Sequence, residues 1–183
     1  MVIEKNFSRA SRGGVGYVKA AGNYAASFYP TKIANSKGFT QVIWTDAKEH
    51  KYIEESGTMN IWFRIDDQLV TPALSDSILG GVTRKSILKI ASEMNLNVQE
   101  RNISVEEIVD AFNKNLLLES FGTGTAVSVV PVNSITLGSK KMVIPKQANS
   151  YSSILKQKLQ DIQYGRENDV YNWTTKFWVF FAY

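Results

Sequence analysis

Lys19 stands in a stretch whose residue types suit amine chemistry, Val18-Lys19-Ala20-Ala21-Gly22-Asn23-Tyr24. The small residues around the lysine leave room for a sizeable group to pack against its amine. A helix beginning just after it would place free backbone N–H groups and a positive dipole end beside the amine, which favours the neutral form. Only a neutral amine attacks a carbonyl. The stretch therefore suits a nucleophilic lysine, although most lysines in loops are simply solvated.

Glu55 opens a second stretch with chemical potential, Glu55-Ser56-Gly57-Thr58-Met59-Asn60. The ordinary interpretation of a carboxylate beside a Gly-Thr turn is a surface residue that forms a salt bridge. The sharper interpretation is a semi-buried acid that stabilises a cationic ring nitrogen. The sequence of this stretch alone leaves both open.

Two glycine-containing loops offer backbone N–H groups to an anion. Gly80-Gly81-Val82-Thr83-Arg84 runs directly into a predicted helix, which suits phosphate binding, and the alternative is a plain threonine N-cap. Gly122-Thr123-Gly124-Thr125-Ala126 offers further N–H groups and hydroxyls, and the alternative is a glycine-rich turn between strands. Together the four stretches supply a lysine amine, an acid, a tyrosine hydroxyl and two phosphate-type loops. Those are the parts that hold pyridoxal 5′-phosphate.

Composition excludes several other kinds of site. The 183-residue chain has 44% hydrophobic and 21% charged residues, which is typical of a globular protein. Its net charge of +4 is not clustered, so we expect no nucleic-acid partner. The absence of cysteine and the single histidine, His50, exclude thiolate and multi-histidine metal sites. No stretch approaches the ~20 apolar residues of a membrane span or resembles a signal peptide, so a cytoplasmic protein is expected.

Hydrophobic periodicity predicts the elements that position these loops. The predicted helices span residues 23–37, 83–95, 104–114 and 151–164. The predicted strands span residues 40–45, 52–55, 59–65, 69–72, 98–102, 116–121 and 126–132, with a hairpin at 135–144. Because strands and helices alternate with hairpins among them, a mixed sheet is favoured over a parallel one. We expect one domain over residues 1–176 and an apolar C-terminal tail over 177–183.

Local signals mark the ends of the predicted helices. Gly38 and Gly165 supply stops, residues 104–107 form a capping-box signature, and Ser150 is the predicted cap of the last helix. Pro30 lies inside the first helical pattern and predicts a kink or a late helix start.

The order of the motifs resembles the class IV pyridoxal-phosphate aminotransferases, and within them most closely the branched-chain amino acid aminotransferases. Four motifs carry the resemblance, residues 19–24, 55–60, 81–84 and 121–126. Residues 159–166 also match the branched-chain type. The resemblance covers roughly residues 8 to 176. Four motifs in the right order are far more specific than any one of them.

The resemblance implies roles at the cofactor ring. Lys19 would bind pyridoxal phosphate covalently and move the proton between the substrate Cα and the cofactor. Tyr24 would hydrogen-bond the phenolic oxygen of the cofactor, and Glu55 would pair with its pyridine nitrogen.

The resemblance also implies roles at the phosphate and the substrate. Val82 and Thr83, at the predicted helix start, would hold the phosphate together with Thr125. Thr58 and Ala126 would receive the substrate α-carboxylate through their backbone N–H groups. No metal is implied.

By the same resemblance, the fold would be a mixed α/β sheet partly closed into a barrel with flanking helices. The activity would be amino-group transfer between leucine, isoleucine or valine and 2-oxoglutarate, in a homodimer. Family members typically carry a smaller N-terminal α/β domain before this segment, so we expect the large, cofactor-binding domain alone. Ala21 stands where a glycine is frequent and Gly80 where a proline is common; neither change removes a functional group.

Other functions remain open at this point. A D-amino-acid transaminase or an aminodeoxychorismate lyase would share the scaffold, although residues 55–60 and 161–166 favour the branched-chain type. An inactive domain that only binds the cofactor or dimerises is the alternative from a different class.

Overall fold

Ten strands and four helices make up the computed structural model, which describes residues 1–175. The helices are α1 (Ala21–Ser36), α2 (Val82–Glu93), α3 (Val105–Asn113) and α4 (Tyr151–Gln163). The strands are β1 (Val2–Ile3), β2 (Val42–Thr45), β3 (Ile53–Ser56), β4 (Asn60–Ile65), β5 (Gln68–Thr71), β6 (Asn97–Glu100), β7 (Leu117–Gly124), β8 (Ser128–Pro131), β9 (Ser134–Leu137) and β10 (Lys140–Val143). The predicted apolar tail, residues 177–183, lies outside the described residues.

The strands form two five-stranded mixed sheets. One has the order β10-β9-β1-β2-β3 and the other the order β6-β5-β4-β7-β8. β1 runs parallel to β2 and β9, and β5 runs parallel to β6, whereas the other pairings are antiparallel. The prediction of a mixed α/β fold is therefore confirmed.

The partly closed barrel implied by the resemblance is not formed by the strand pairings of residues 1–175. β3 and β4 are joined by a tight turn, yet β4 pairs with β5 on one edge and with β7 on the other. β4 forms no strand ladder with β3. The two sheets are therefore separate in their strand pairing, although the Asn60 side chain of β4 donates a hydrogen bond to Glu55 of β3.

Apolar side chains join the two sheets and fix α2 and α4 to the second one. Ile43 and Ile53 of the first sheet share a buried cluster with Ile61 and Phe63 of the second. Strand residues of the second sheet share another cluster with α2 and α4, which contribute Ile87, Ile90, Leu155 and Leu159 among others. The spacing of these residues on α2 and α4 is the helical period read from the sequence.

The first helix differs from its prediction at its start and its proline. α1 begins at Ala21 rather than Asn23, and it continues through Pro30. The proline ring is buried, so burial offsets the hydrogen bond that its missing N–H removes. The predicted stop is confirmed, since the helix ends at Ser36 and Gly38 has a φ of 82°.

The glycine-containing loop predicted at residues 122–126 is shorter in the structure. Gly122 and Thr123 belong to β7 and pair with β4, opposite Ile61 and Asn60 respectively. Gly122 lies under the end of the Met59 side chain, which a Cβ at this position would approach to 2.9 Å. The turn therefore begins only at Thr125.

Candidate active site

Four of the residues predicted for the site line one pocket. The pocket lies between the start of α1 and the hairpin that joins β3 to β4. Lys19 and Tyr24 line it from one side, and Glu55 and Thr58 from the other. Two segments far apart in sequence thus meet where the motifs predicted a shared site.

The backbone around Lys19 is fixed by Asn23. The Asn23 side-chain amide donates hydrogen bonds of 2.9 Å to the carbonyls of both Val15 and Val18. Since α1 begins at Ala21, the lysine precedes the helix by two residues, as the stretch predicted. The side chain of Lys19 is exposed to the solvent of the pocket.

Glu55 lies at the end of β3 and is 3% exposed. Its Oε1 accepts hydrogen bonds from the Leu79 backbone N–H at 2.8 Å and from Asn60 Nδ2 at 3.2 Å. Its Oε2 lies 2.8 Å from Arg9 Nε. The ordinary interpretation, a surface salt bridge, is therefore only partly right. The ion pair exists, but it is buried.

Burial dominates the acidity of Glu55. Removal from water raises the pKa of this carboxyl to about 7, against the opposing effects of the Arg9 charge and the Leu79 N–H. Although the distance to Arg9 is that of an ion pair, the Nε–H of Arg9 is not aligned for a hydrogen bond. Arg9 instead donates through its terminal nitrogen to the carbonyls of Gly16 and Ser77.

The start of α2 leaves backbone N–H groups free. Gly81 is the N-cap residue and provides no side-chain cap, and the N–H groups of Val82 and Thr83 bond to no other residue of the described chain. The alternative of a threonine N-cap is wrong, because Thr83 is the second residue of the helix. By contrast, Ser104 caps α3 and Ser150 caps α4. The uncapped end retains the features of an anion site.

The remaining predicted residues lie beside the pocket rather than along its lining. Val82 is exposed at the start of α2, and Thr125 and Ala126 are exposed in the turn between β7 and β8. That turn neighbours the β3–β4 hairpin, because a Cβ on Gly124 would lie 4.0 Å from the Thr58 carbonyl oxygen. The turn that carries Thr125 and Ala126 therefore lies next to the hairpin that carries Thr58.

Sequence reasoning missed three residues that organise the site: Arg9, Asn23 in its loop-closing role, and Asn60 in its contact with Glu55. Arg9 is an isolated basic residue with no motif to distinguish it. The two asparagines stood inside the quoted motifs, but a side-chain amide in a loop has too many potential partners to assign from sequence.

Two further classes of site are not found in residues 1–175. No group of three or more histidine, cysteine, aspartate or glutamate residues is placed to hold a metal ion in that range. Among the helices described, none combines the length and apolar character that crossing a bilayer requires.

Comparison with known proteins agrees with the motifs. Residues 3–135 match the family model of the class IV amino-transferases. The chain is 45% identical over 175 residues to a probable branched-chain-amino-acid aminotransferase of Staphylococcus epidermidis, covering 93% of this chain and 48% of that protein. It is 43% identical over 175 residues to branched-chain-amino-acid transaminase 1 of Bacillus subtilis, covering 95% and 49%.

Solved structures of branched-chain aminotransferases have a similar fold. The branched-chain amino acid aminotransferase from Escherichia coli superposes with a TM-score of 0.79 at 27% identity, covering 94% of this chain and 55% of that one. The chain thus spans about half the length of the curated relatives it matches. On the match of the family model over residues 3–135, this chain belongs to the class IV aminotransferases.

Proposed function

We propose that this chain carries the cofactor-binding and proton-transfer residues of a branched-chain amino acid aminotransferase. The reaction would move an amino group between leucine, isoleucine or valine and 2-oxoglutarate. The observation that carries the proposal is the convergence of Lys19, Tyr24, Glu55 and Thr58 on one pocket. The names of the relatives at 43–45% identity support the choice of substrate class.

The residues present fit pyridoxal 5′-phosphate, the cofactor of class IV aminotransferases. When bound, the cofactor supplies an electron sink for the bonds at the substrate Cα. Lys19 offers an accessible amine for the covalent link, and the buried Glu55 offers a carboxylate whose pKa of about 7 a cationic ring nitrogen would lower. The free N–H groups at the start of α2 offer a phosphate site.

Each of these residues would have a separate role in the reaction. Lys19 would hold the cofactor and carry the proton taken from Cα, and Tyr24 would hydrogen-bond the ring oxygen. Glu55 would keep the ring nitrogen protonated. The phosphate would be held by Val82, Thr83 and Thr125, and the substrate α-carboxylate by the N–H groups of Thr58 and Ala126.

We also infer a homodimer. Support comes from large apolar side chains that α1 and the segment before it leave exposed. They are Phe7, Val15, Tyr17, Val18, Phe28 and Tyr29, with exposures between 38% and 68%. A cluster of this kind is typical of an interaction surface.

The assignment of Lys19 is tested by absorption spectroscopy. Adding pyridoxal phosphate to the wild type should produce the visible band of a lysine-bound cofactor, and adding leucine should remove it. Lys19→Ala should abolish the band, whereas Lys32→Ala, an exposed lysine on α1, should leave it intact. A wild type without the band, or a Lys19→Ala variant that retains it, would contradict the cofactor assignment.

Cofactor binding without turnover is the second candidate. It is favoured by the openness of the pocket, since Lys19 is exposed and Tyr24 is 38% exposed. Water at the reacting groups lowers both affinity and rate. A band that forms but does not respond to leucine, isoleucine or valine would support this candidate, and a response to D-alanine alone would indicate a D-amino-acid transaminase.

A further inference from the structure

The side chain of Asn60 joins the two halves of the proposed cofactor site. It is a buried amide, 5% exposed, at the first residue of β4. Its Nδ2 donates to Glu55 Oε1 at 3.2 Å and to the Leu79 carbonyl at 2.8 Å. Leu79 in turn donates its backbone N–H to the same Glu55 oxygen at 2.8 Å. The three residues thus form a closed set of hydrogen bonds.

The orientation of this amide follows from its partners. Both neighbours of Nδ2 are acceptors, a carboxylate and a carbonyl, and a side-chain NH₂ group has two protons to donate. With the amide turned over, an oxygen would face both acceptors and repel them. The nitrogen therefore belongs where it is placed.

The other face of the amide packs against the start of α2. A Cβ on Gly81 would lie 2.3 Å from Asn60 Oδ1, a separation that real Cβ atoms essentially never show. Gly81 is the N-cap residue of α2, directly before Val82 and Thr83. The contact requires glycine there for space, because its φ of −61° suits any residue.

We propose that Asn60 is a positioning residue that sets the spacing between the Glu55 carboxylate and the free N–H groups of α2. This inference rests on the proposed function, in which the carboxylate holds the ring nitrogen and the N–H groups hold the phosphate of one molecule. In that function Asn60 would hold neither end of the molecule itself. Its contribution is to make the two ends fit together.

A positioning role makes a prediction that general destabilisation does not. Pyridoxal carries the same aldehyde and ring nitrogen as pyridoxal phosphate but has no phosphate group. Pyridoxal would be held only at its ring, so the distance between the ring site and the phosphate site should not affect its binding. Disturbing Asn60 should therefore weaken pyridoxal phosphate far more than pyridoxal, whereas loss of structure would weaken both alike.

Two alanine substitutions in one loop test this with matched chemistry. Gly81→Ala displaces the Asn60 amide without removing it. Gly80→Ala adds the same methyl group where the nearest atoms, on Leu74 and Lys85, are at ordinary distances of 3.6 and 3.9 Å. Asn60→Ala is the third variant. Dissociation constants for both ligands are measured by titrating the visible absorption of each folded protein.

We expect the ratio of pyridoxal to pyridoxal-phosphate dissociation constants to fall at least about tenfold in Gly81→Ala and Asn60→Ala, a change of about 1.4 kcal/mol. Gly80→Ala should stay near the wild-type ratio. An unchanged ratio in Gly81→Ala, or an equal fall in Gly80→Ala, overturns the positioning role even if Asn60→Ala does not fold. A wild type that binds neither ligand through Lys19 overturns the proposed function as well, so the two failures are told apart.

Discussion

Glu55 shows how a single side chain can be prepared for a charged partner. Its carboxylate is almost fully buried, receives two hydrogen bonds on one oxygen and faces one guanidinium with the other. Burial still outweighs these contacts and raises its pKa to about 7. A second cation at this carboxylate would favour ionisation, which is the behaviour needed opposite a protonated ring nitrogen.

The raised pKa of Glu55 predicts a specific pH dependence of stability. The folded protein binds this proton more tightly than the unfolded chain, whose pKa is near 4.5, so the wild type loses stability as pH rises from 4.5 to 7. Glu55→Gln has no such proton. We expect its free energy of unfolding, relative to wild type, to rise by about 2–4 kcal/mol across this window.

Urea titrations at pH 4.5, 6 and 8 in the absence of cofactor measure this difference. Glu49→Gln, a change at an exposed carboxylate, is the control and should show no pH-dependent difference. A constant difference between Glu55→Gln and wild type at all three values would mean that Glu55 titrates normally.

The sequence predicts those site residues whose role belongs to a recognisable motif, and it misses the others. Lys19, Tyr24, Glu55 and Thr58 were assigned from short stretches and meet in one pocket. Arg9 was not predicted to act, because its partners Gly16, Glu55 and Ser77 come together only through the tertiary fold. Single long-range contacts of this kind leave no periodic trace in the sequence.

At the scale of elements, the helix starts divide into capped and uncapped ones. α3 carries half of the predicted capping box: Ser104 accepts from the Glu107 N–H, but the Glu107 carboxylate pairs with Arg101 instead of returning to the cap. α4 is capped by Ser150 and also by Glu119 of β7. Only strand packing could place Glu119 there, so sequence predicted the Ser150 cap and missed the carboxylate.

Glu119 supplies a prediction about acid stability. Burial alone would raise its pKa, but hydrogen bonds from the Tyr151 and Ser152 N–H groups, the Ser150 hydroxyl and Arg64 outweigh burial and lower it. The contribution of Glu119 is therefore present above its ordinary pKa of 4.5 and lost as pH falls through the lowered value. Glu119→Gln should cost about 2–3 kcal/mol at pH 7, because an amide NH₂ would face the helix donors.

Thermal or urea unfolding at pH 7 and pH 3 checks this expectation, and the difference between the two proteins should be smaller at the lower pH. Glu106→Gln changes an exposed carboxylate in the first turn of α3 and should cost less than about 1 kcal/mol. Equal costs for Glu119→Gln at both pH values would show that the carboxylate carries no charge-dependent role.

At the scale of the whole molecule, element types were largely predictable and the joining of the sheets was not. The helices follow their predicted ranges to within two or three residues. The expected barrel is not seen in the strand pairings of residues 1–175, in which β4 pairs with β5 and β7 and not with β3. Periodicity reports which face of a strand is buried, but it does not report which strand lies beside it.

The exposed apolar side chains of α1 predict the assembly state. Phe28 is 68% exposed, so Phe28→Glu should leave the free energy of unfolding of a monomer nearly unchanged while placing a charge in an apolar contact between copies. We expect the dimer dissociation constant to rise at least about tenfold. Light scattering after size-exclusion chromatography measures the mass, with Lys32→Glu as the exposed control on the same helix. A wild type that is monomeric at all concentrations would contradict the dimer.

The double pairing of β4 has a consequence for motion. Ile61, Trp62 and Phe63 are 0% exposed in a strand that pairs with β7 along its length, and Phe63 also pairs with β5, so we expect their amides to exchange with solvent slowly. α1 buries only Pro30 and Ala34 and can open by itself. Glu55 therefore lies beside a strand whose amides we expect to exchange slowly. Lys19 lies beside a helix whose amides we expect to exchange faster. A ligand that bridges them would transfer rigidity from the sheet to the helix.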